Sequence, residues 1–597
     1  MESVLVLICG LAFFLFGMNI MSTGLKKMTG GRLENTLRTM TSNKFAGLGL
    51  GAVITVAVQS SSAVTVMLVG LVNSGIMALS QTTSVIMGAN IGTTLTAWLM
   101  SLIGIESDNI FLTLLKPKSF APLFALVGVC LLLFSKKTKR KDLGSILVGF
   151  AILMYGMVMM SEAASPLAQN EGFVSILTFF KESPVWVACI LGILVGTVFT
   201  GIIQSSAASI GILQALSLAG GMTYGLAVPL VMGLNIGTCI TAVISSIGVN
   251  KNAKRVAFIH TSIKILGTFI CLILFYGILG IIGRYDLLGV SVTPVAIAIA
   301  HTIFNIVTTL VLMPFSSKLE AMACKVIKDK ASAKEEYSIL DDRLLSTPAV
   351  AVSECRRVWV RMAEISVTAM QQALELVYKY DSKLAEEVRE KEETVDVYED
   401  KLGAFLVKLS GKALSDKDSR EASEYLTTLS DFERISDHAV NILKTIEEMK
   451  DKKVAFSSTA QKEIDILIGA LREVLEKTID SVKNDDDELA KKVEPIEQVI
   501  DMLRTQIKDN HIERLKGGQC TIEMGFILSD LLSNVGRVSD HCSNIAAGII
   551  EVKMSRFDSH NYLHSVKTGE NEEYNTAFRE YRAKYSLPGN DSLEDNA

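Results

Sequence analysis

Charge is missing from the centre of the first half of this chain. Residues 45–103 and 185–248 contain no Asp, Glu, Lys, Arg or His. Side-chain acid–base catalysis is excluded there, because its ordinary proton donors and acceptors are absent. A carboxylate or imidazole metal site is excluded for the same reason. Thiol pairs are lacking as well: the nine cysteines (9, 130, 189, 239, 271, 324, 355, 520 and 542) are scattered, with no C-x-x-C. No disulfide framework is implied, so the charged part of the chain reads as cytosolic. There is no H-E-x-x-H helix, no glycine-rich nucleotide loop and no convergent nucleophile and base, so an enzyme is not expected. The first apolar run, residues 3–22, has no basic segment ahead of it and continues into a basic loop. It reads as a retained span rather than a signal peptide.

What is present divides near residue 316. Residues 1–316 hold 18 Lys+Arg and 9 Asp+Glu, a net of +9, which leaves 40 and 54 for residues 317–597, a net of −14. The first part reads as a transmembrane domain, with apolar runs near 3–22, 84–104, 120–135, 143–161, 226–248, 256–283 and 287–316 of roughly the length that crosses a bilayer. Residues 317–344 read as a linker, 345–555 as a soluble helical domain and 556–597 as a polar tail with one short helix. The loops set the orientation. Loops 23–44, 136–141 and 250–255 carry 5, 5 and 3 Lys+Arg, whereas 104–119, 162–184 and 284–286 carry 2, 1 and 1. The basic set is expected inside, with the N-terminus outside. Segments 45–103 and 185–248 must then each cross an odd number of times, either as a dipping hairpin plus one span or as three short spans.

Polar islands interrupt these segments. Gln59-Ser60-Ser61-Ser62-Ala63 recurs as Gln204-Ser205-Ser206-Ala207-Ala208, and Gly88-Ala89-Asn90-Ile91-Gly92-Thr93-Thr94 recurs as Gly233-Leu234-Asn235-Ile236-Gly237-Thr238-Cys239, both at an offset of 145. Upstream, Gly10–Met18 is echoed by Gly149–Met157 at an offset of 139. Ser, Thr and Gly also serve plain helix packing, but two motifs repeating at one offset favour a shared site. The first span runs inward and its echo outward, so the repeats, about 3–135 and 143–248, are inverted, a recurring plan of secondary transporters. A break in each motif exposes backbone N–H groups for an anion and carbonyls for a cation. With no fixed charge nearby, an anion needs co-bound cations, and sodium suits neutral oxygen ligands. His260-Thr261-Ser262-Ile263-Lys264 and His301-Thr302-Ile303-Phe304-Asn305 also match, at an offset of 41. Lys264 is expected to snorkel to the interface. His301, near mid-span, either lines the path or joins two helices.

With these motifs the first 316 residues resemble the bacterial relatives of the type II sodium–phosphate cotransporters. The resemblance implies phosphate as the solute and sodium as the coupling ion. It implies one half-site at Gln59, Ser60, Ser61, Ser62, Asn90, Thr93 and Thr94, and another at Gln204, Ser205, Ser206, Asn235 and Thr238. The chain departs from the family pattern at Ala207, Cys239 and Lys264.

Residues 345–555 read as amphipathic helices with breaks near 411–419, 451–458, 484–487 and 516–519. They also repeat. Arg434–His438 recurs as Arg537–His541 at an offset of 103, and Glu393, Asp396 and Asp400 recur as Glu494, Glu497 and Asp501 at an offset of 101. Asp396/Asp400 and Glu433/Asp437 are spaced i,i+4, which brings their carboxylates to one helix face. This part resembles PhoU domains, duplicated six-helix modules associated with control of phosphate uptake. That resemblance implies a divalent or iron-type metal at Glu393, Asp396, Asp400, Glu433 and Asp437, and at Glu494, Glu497, Asp501 and Asp540, where Gly536 replaces an expected acid.

The fold class expected is all-α: a polytopic membrane domain of two inverted repeats with interrupted or re-entrant helices, then a soluble module of two three-helix bundles. The function expected is sodium-coupled phosphate transport across the cytoplasmic (inner) membrane, regulated by the cytosolic module. Export or exchange of phosphate, or membrane-anchored signalling of phosphate status, are the alternatives. The partners expected are phosphate, the bilayer and a second copy or a regulatory protein at the soluble module, with no nucleic acid.

Overall fold

The computed structural model describes residues 2–29, 43–75, 77–104, 117–167, 183–218, 222–328, 340–554 and 572–588. Among these the regular structure is helical, apart from one isolated bridge between Thr223 and Ser291. Arg32 and Arg38 of the first basic loop, and residues 329–339 of the expected linker, lie outside the described residues. The chain forms two compact units, Met1–Ala351 with Lys412–Asp416, and Val352–Gly411 with Lys417–Ala597.

The first unit contains α1 (Glu2–Thr29), α2 (Lys44–Val58), α3 (Ser61–Asn73), α4 (Leu79–Ser101), α5 (Pro117–Phe134), α6 (Thr138–Leu167), α7 (Val185–Ile203), α8 (Ser206–Ser217), α9 (Tyr224–Gly237), α10 (Cys239–Ser245), α11 (Lys251–Ile282), α12 (Pro294–Leu312) and α13 (Ser316–Val326). Among the described residues, six helices are long and apolar enough to cross a membrane, and the pair α2–α3, bent by 120°, makes a seventh candidate. Large apolar side chains point outward, with Phe134 80%, Ile202 77% and Ile281 87% exposed, as a lipid-facing surface requires. Several expected loop charges are helical. Lys26 and Lys27 end α1, and Lys251, Lys254 and Arg255 form the first turns of α11 behind an Asn250 cap.

Small residues let the helices approach to backbone contact. α1 and α6 run antiparallel, and a Cβ built at Gly10 would lie 2.9 Å from Gly156 O, one at Gly17 2.6 Å from Gly149 O. These glycines are the echo positions themselves, so the repeats meet across a pseudo-twofold axis. α2 runs parallel to α4, with Gly51 against Val85, Gly88 against Leu48 and Gly92 against Ala52. α7 runs parallel to α9 through Gly196 against Leu230, Gly233 against Ile193 and Gly237 against Thr197. Each contact is its counterpart moved by 145 residues.

The contacts at the helix ends decide the path. Lys44 Nζ donates to Ser316 Oγ at 2.8 Å and Thr83 Oγ1 to Glu320 Oε1 at 3.2 Å, which places the starts of α2 and α4 at one end. Asn73, closing α3, accepts from Asn250 N at 2.8 Å, ahead of α11. At the opposite end, Gln214 on α8 donates to Ala97 O at 3.0 Å and Pro294 O at 3.1 Å. α9 begins there too, beside the Thr223–Ser291 bridge. Each motif hairpin therefore returns to the side it entered, and the two enter from opposite ends. Of the two routes open from sequence, hairpin plus span is the one taken. The last expected span is shorter than read: a 3-10 turn occupies Tyr285–Gly289, and α12 starts at Pro294 where Thr293 caps it.

Residues placed in the linker are partly built into this unit. α13 packs on α4 and α11. Beyond residue 339, Asp341 is buried and accepts from Asn73 Nδ2 at 2.7 Å. Arg343 pairs with Asp341 at 3.0 Å and donates to Ser245 O at 2.6 Å and Ile247 O at 2.8 Å. Leu344 is fully buried beside Gly70. The short segment thus ties the ends of α3 and α10 together.

The second unit is two three-helix sets, α14 (Pro348–Leu376), α15 (Ser382–Ser410) and α16 (Asp416–Lys452), then α17 (Ser458–Asn484), α18 (Val493–Lys516) and α19 (Ile522–Met554). Trp359 fills the first core, donating to Thr428 Oγ1 at 3.0 Å. In the second, Arg514 grips buried Glu463 through two bonds of 2.9 and 2.8 Å. The repeated elements cross-pair: His438 bonds Asn534 and His541 bonds Asp431, each at 2.8 Å, with the imidazole rings stacked at 5.8 Å. The short tail helix, α20 (Glu572–Lys584), packs on α18, and Lys584 pairs with Glu473 at 2.8 Å.

Candidate binding site at the paired helix breaks

Two residues reverse the chain in each hairpin. Gln59 (φ 56°, ψ 26°) and Gln204 (φ 58°, ψ 20°) are left-handed, and Ser60 and Ser205 after them are extended. A non-glycine residue in that region is strained, which in an otherwise regular helical unit marks a place held for use. Ser60 Oγ then accepts from Ala63 N at 3.1 Å, and Ser205 Oγ from Ala208 N at 3.2 Å. Both are N-caps. Each tip therefore presents a helix C-terminus, rich in carbonyl oxygens, beside a helix N-terminus, rich in free N–H groups.

The two tips meet. Gln59, Ser60, Ser61, Ser62, Thr93, Thr96, Ser205, Ser206 and Ala207 line one small cavity, with free volume about 20 Å³. That is room for a single water or bare cation, so a tetrahedral oxyanion enters only when the tips separate. Gln59 Oε1 accepts from Thr96 Oγ1 at 2.9 Å while its amide nitrogen donates to Val56 O at 2.7 Å. The hydroxyls of Ser61, Ser62 and Ser206 make no hydrogen bond to the described residues, which leaves them available to a ligand.

The other expected residues are placed differently. Thr94 bonds Ile91 O, Thr238 bonds Asn235 O, and neither lines the cavity. Gln204 is exposed. Asn90 is 2% exposed, and its Oδ1 has no partner among the described residues. Asn235 Oδ1 accepts from Lys264 Nζ at 2.8 Å, and Asn305 Oδ1 accepts from the same amine at 3.2 Å. Lys264 therefore does not snorkel; it is 4% exposed, because two amide oxygens take its protons inside the unit. His260 and His301 are buried, each with Nδ1 unpartnered among the described residues. Sequence reading missed Thr96. The signal was available, since Thr241 stands 145 residues on.

In the second unit, Asp396, Glu399 and Glu433 each bring a carboxylate oxygen to within 4.8 Å of the others. Glu399 was not among the expected ligands. Glu393, Asp400 and Asp437 belong to the surrounding acidic field rather than to this trio. Burial first, and then Asp437, push the Glu433 carboxyl up to about 7. Three converging carboxylates fit a hard or borderline cation. The other half is unlike it. Glu494 is buried and accepts from Ser543, Asp501 pairs with Arg504, and Asp540 with Arg537 at 3.7 Å. Burial, followed by Glu494 and Asp501, raises Glu497 to about 7. A Cβ at Gly536 would meet the Arg504 guanidinium at 2.0 Å. The halves have exchanged partners: Gly403 and Glu433 in the first stand where Arg504 and Gly536 stand in the second. A free cation fits the first half, and a fixed one already fills the second.

The raised Glu433 sets a pH dependence. A carboxyl whose folded pKa exceeds its unfolded value costs stability as pH climbs through the interval between them, here from about 4.5 to about 7. With chelator present, the soluble unit is expected to melt a few degrees lower at pH 8 than at pH 5.5. Glu433→Gln should make that difference smaller, leaving the part that Glu497 contributes, and manganese should raise the pH 8 value of wild type. Equal pH drops in wild type and variant, by scanning calorimetry, would refute the assignment.

The Na+/Pi-cotransporter family model matches residues 13–162 and again 152–282, one match per repeat. YqeW of Bacillus subtilis (strain 168), an uncharacterized protein, is 31% identical over 307 residues, covering 51% of this chain and 92% of YqeW. The chain belongs to the Na+/Pi-cotransporter family. A PhoU domain model matches residues 360–446 and 464–549, so this cotransporter-family chain carries a PhoU module after its membrane unit. The "Putative inorganic phosphate export protein YjbB" of Escherichia coli (strain K12) is 24% identical over 558 residues, 92% of this chain and 98% of that protein. The crystal structure of PhoU from Pseudomonas aeruginosa covers 34% of the chain and 97% of PhoU, at 19% identity and a TM-score of 0.32.

Proposed function

We propose that this protein carries inorganic phosphate across the cytoplasmic membrane, coupled to sodium, under control of its PhoU unit. The observation that carries the reading is the meeting of two opposed helix breaks around one cavity lined by neutral oxygens. The free N–H groups starting α3 and α8, with the hydroxyls of Ser61, Ser62 and Ser206, would hold the oxyanion. The Gln59 amide oxygen, the carbonyls ending α2 and α7, and Asn90 would take the cation. Because the hairpins enter from opposite ends, parting them on one side or the other gives alternating access. On this reading the PhoU unit and the ends of α3 and α10 face the cytosol and the N-terminus lies outside, an orientation that the charge bias of the basic loops favours. In that unit the Asp396, Glu399 and Glu433 trio is a proposed cation site.

Proteoliposomes under an imposed sodium gradient are expected to take up radiolabelled phosphate faster than with potassium outside. Equal rates would end the coupling claim. Ser61→Ala, which removes one hydrogen bond to a charged ligand, should raise the phosphate concentration for half-maximal uptake by about ten-fold or more. An unchanged value would remove Ser61 from the site. A second reading, net export in the cell, is favoured by the similarity to YjbB, which is named for phosphate export. The same geometry serves it, since a symporter follows the gradient supplied. Efflux from phosphate-loaded cells with and without the protein separates the two.

A further inference from the structure

Equivalent asparagines in the two repeats are treated differently. Asn90 Oδ1 is buried without a partner among the described residues, while Thr55 Oγ1 on the helix packed against it and its counterpart Thr200 Oγ1 are both unpartnered there and do not distinguish the repeats. A buried acceptor left unmade is costly and calls for a donor or a cation. Asn235, 145 residues on, has its Oδ1 filled by the Lys264 ammonium. The groups facing that ammonium are Asn235, Asn305, Cys239, His260, His301 and the Phe304 ring. None is a carboxylate, so Lys264 brings an uncompensated positive charge beside the second motif. α11 packs on α3 and α4 of the first repeat as well as on α9 and α10 of the second, and α12 packs on α4, α8 and α9, so both helices reach both motifs. The echo at offset 41 sets Lys264 on α11 opposite Asn305 on α12.

We propose that the Lys264 ammonium is a tethered cation filling, in the second repeat, the place that a mobile monovalent cation takes at Asn90 in the first. Lys264 is then the residue that sets how many cations, and how much charge, travel with each anion. The inference rests on the sodium-coupled reading above and adds stoichiometry to it. An ammonium, through its N–H donors, and a bare monovalent ion, through direct contact, both seek amide oxygens, so the same acceptor type serves either. The difference is that the lysine stays with the protein when the cargo leaves.

The test uses the full-length protein, purified and then reconstituted. Thermal stability is measured against sodium chloride, with choline replacing sodium at constant ionic strength. Lys264→Asn supplies the amide found at the echo position and opens the place to a free ion. Its melting temperature should climb more steeply with sodium than that of wild type, while Lys264→Arg follows wild type. In proteoliposomes Lys264→Asn should move about one more positive charge per phosphate, with a sodium Hill coefficient higher by about one. Superimposable sodium titrations for wild type and Lys264→Asn would overturn the proposal. Should that variant not give a monodisperse protein, Asn90→Leu is decisive. It should abolish the sodium response of wild type, and a retained response would overturn the asymmetry. If wild-type uptake ignores sodium, the coupling reading fails alone. The lysine is then judged by whether Lys264→Asn gains a sodium response that wild type lacks.

Discussion

Gly88→Ala and Gly233→Ala are each expected to bring phosphate transport down to the background of empty liposomes. A Cβ at Gly88 would sit 1.9 Å from Leu48 O, and one at Gly233 2.1 Å from Ile193 O. The obstructing atom is backbone in both cases, so no side chain can rotate away. The paired helices would have to move apart by about 1 Å, and a carbon in contact with an oxygen tolerates little less. Asn90 and Asn235 lie two residues beyond these glycines and would be carried out of register with their hairpins. Gly49 is the control: a Cβ there meets nothing within 4 Å, so Gly49→Ala should transport normally. Background transport by Gly49→Ala, or wild-type rates from Gly88→Ala, would show that close helix approach does not hold the site.

Arg514→Met is expected to destabilise the PhoU unit by about 3–5 kcal/mol, the cost of stranding a buried charge. Arg514 and Glu463 side chains are 11% and 6% exposed, and Asn510 alone would remain on the carboxylate, at 2.8 Å. Calorimetry of the full chain should show the soluble transition about 10 °C lower. Adding Glu463→Leu should recover most of the loss, because it removes the stranded carboxylate. A double variant as unstable as the single one would mean that the arginine acts through packing of its stem, not through the pair.

Repetition made most of the architecture legible. Segments that echo one another at offsets of 139, 145 and 103 residues turned out to touch as well: Gly10 and Gly17 against Gly156 and Gly149, the hairpin tips with each other, and His438 stacked on His541. Polarity inside apolar sequence located the cavity at Gln59, Ser61 and Ser206. Other features were hidden because they depend on what a side chain meets. Ser60 and Ser61 look alike in sequence, yet one caps a helix and the other is free. Charge near a basic loop favoured snorkelling for Lys264, but two amides from distant helices were nearer than water. The second acidic cluster was legible as a pattern, and the Arg504 guanidinium in the space left by Gly536 was not. Residues 317–344 were read as a linker, and the anchoring of 341–344 comes from Asn73, Ser245 and Ile247, which no local pattern announces.

That last feature has a mechanical consequence. Tension applied to the chain at Thr347 is borne first by Asp341 and Arg343, whose bonds to Asn73, Ser245 and Ile247 lie in series with it. These bonds act as a strain relief: a small tug is absorbed there, and a large one peels the segment from the ends of α3 and α10 before any spanning helix yields. The force passed to the α2–α3 hairpin by this route is thereby limited to the strength of a few hydrogen bonds.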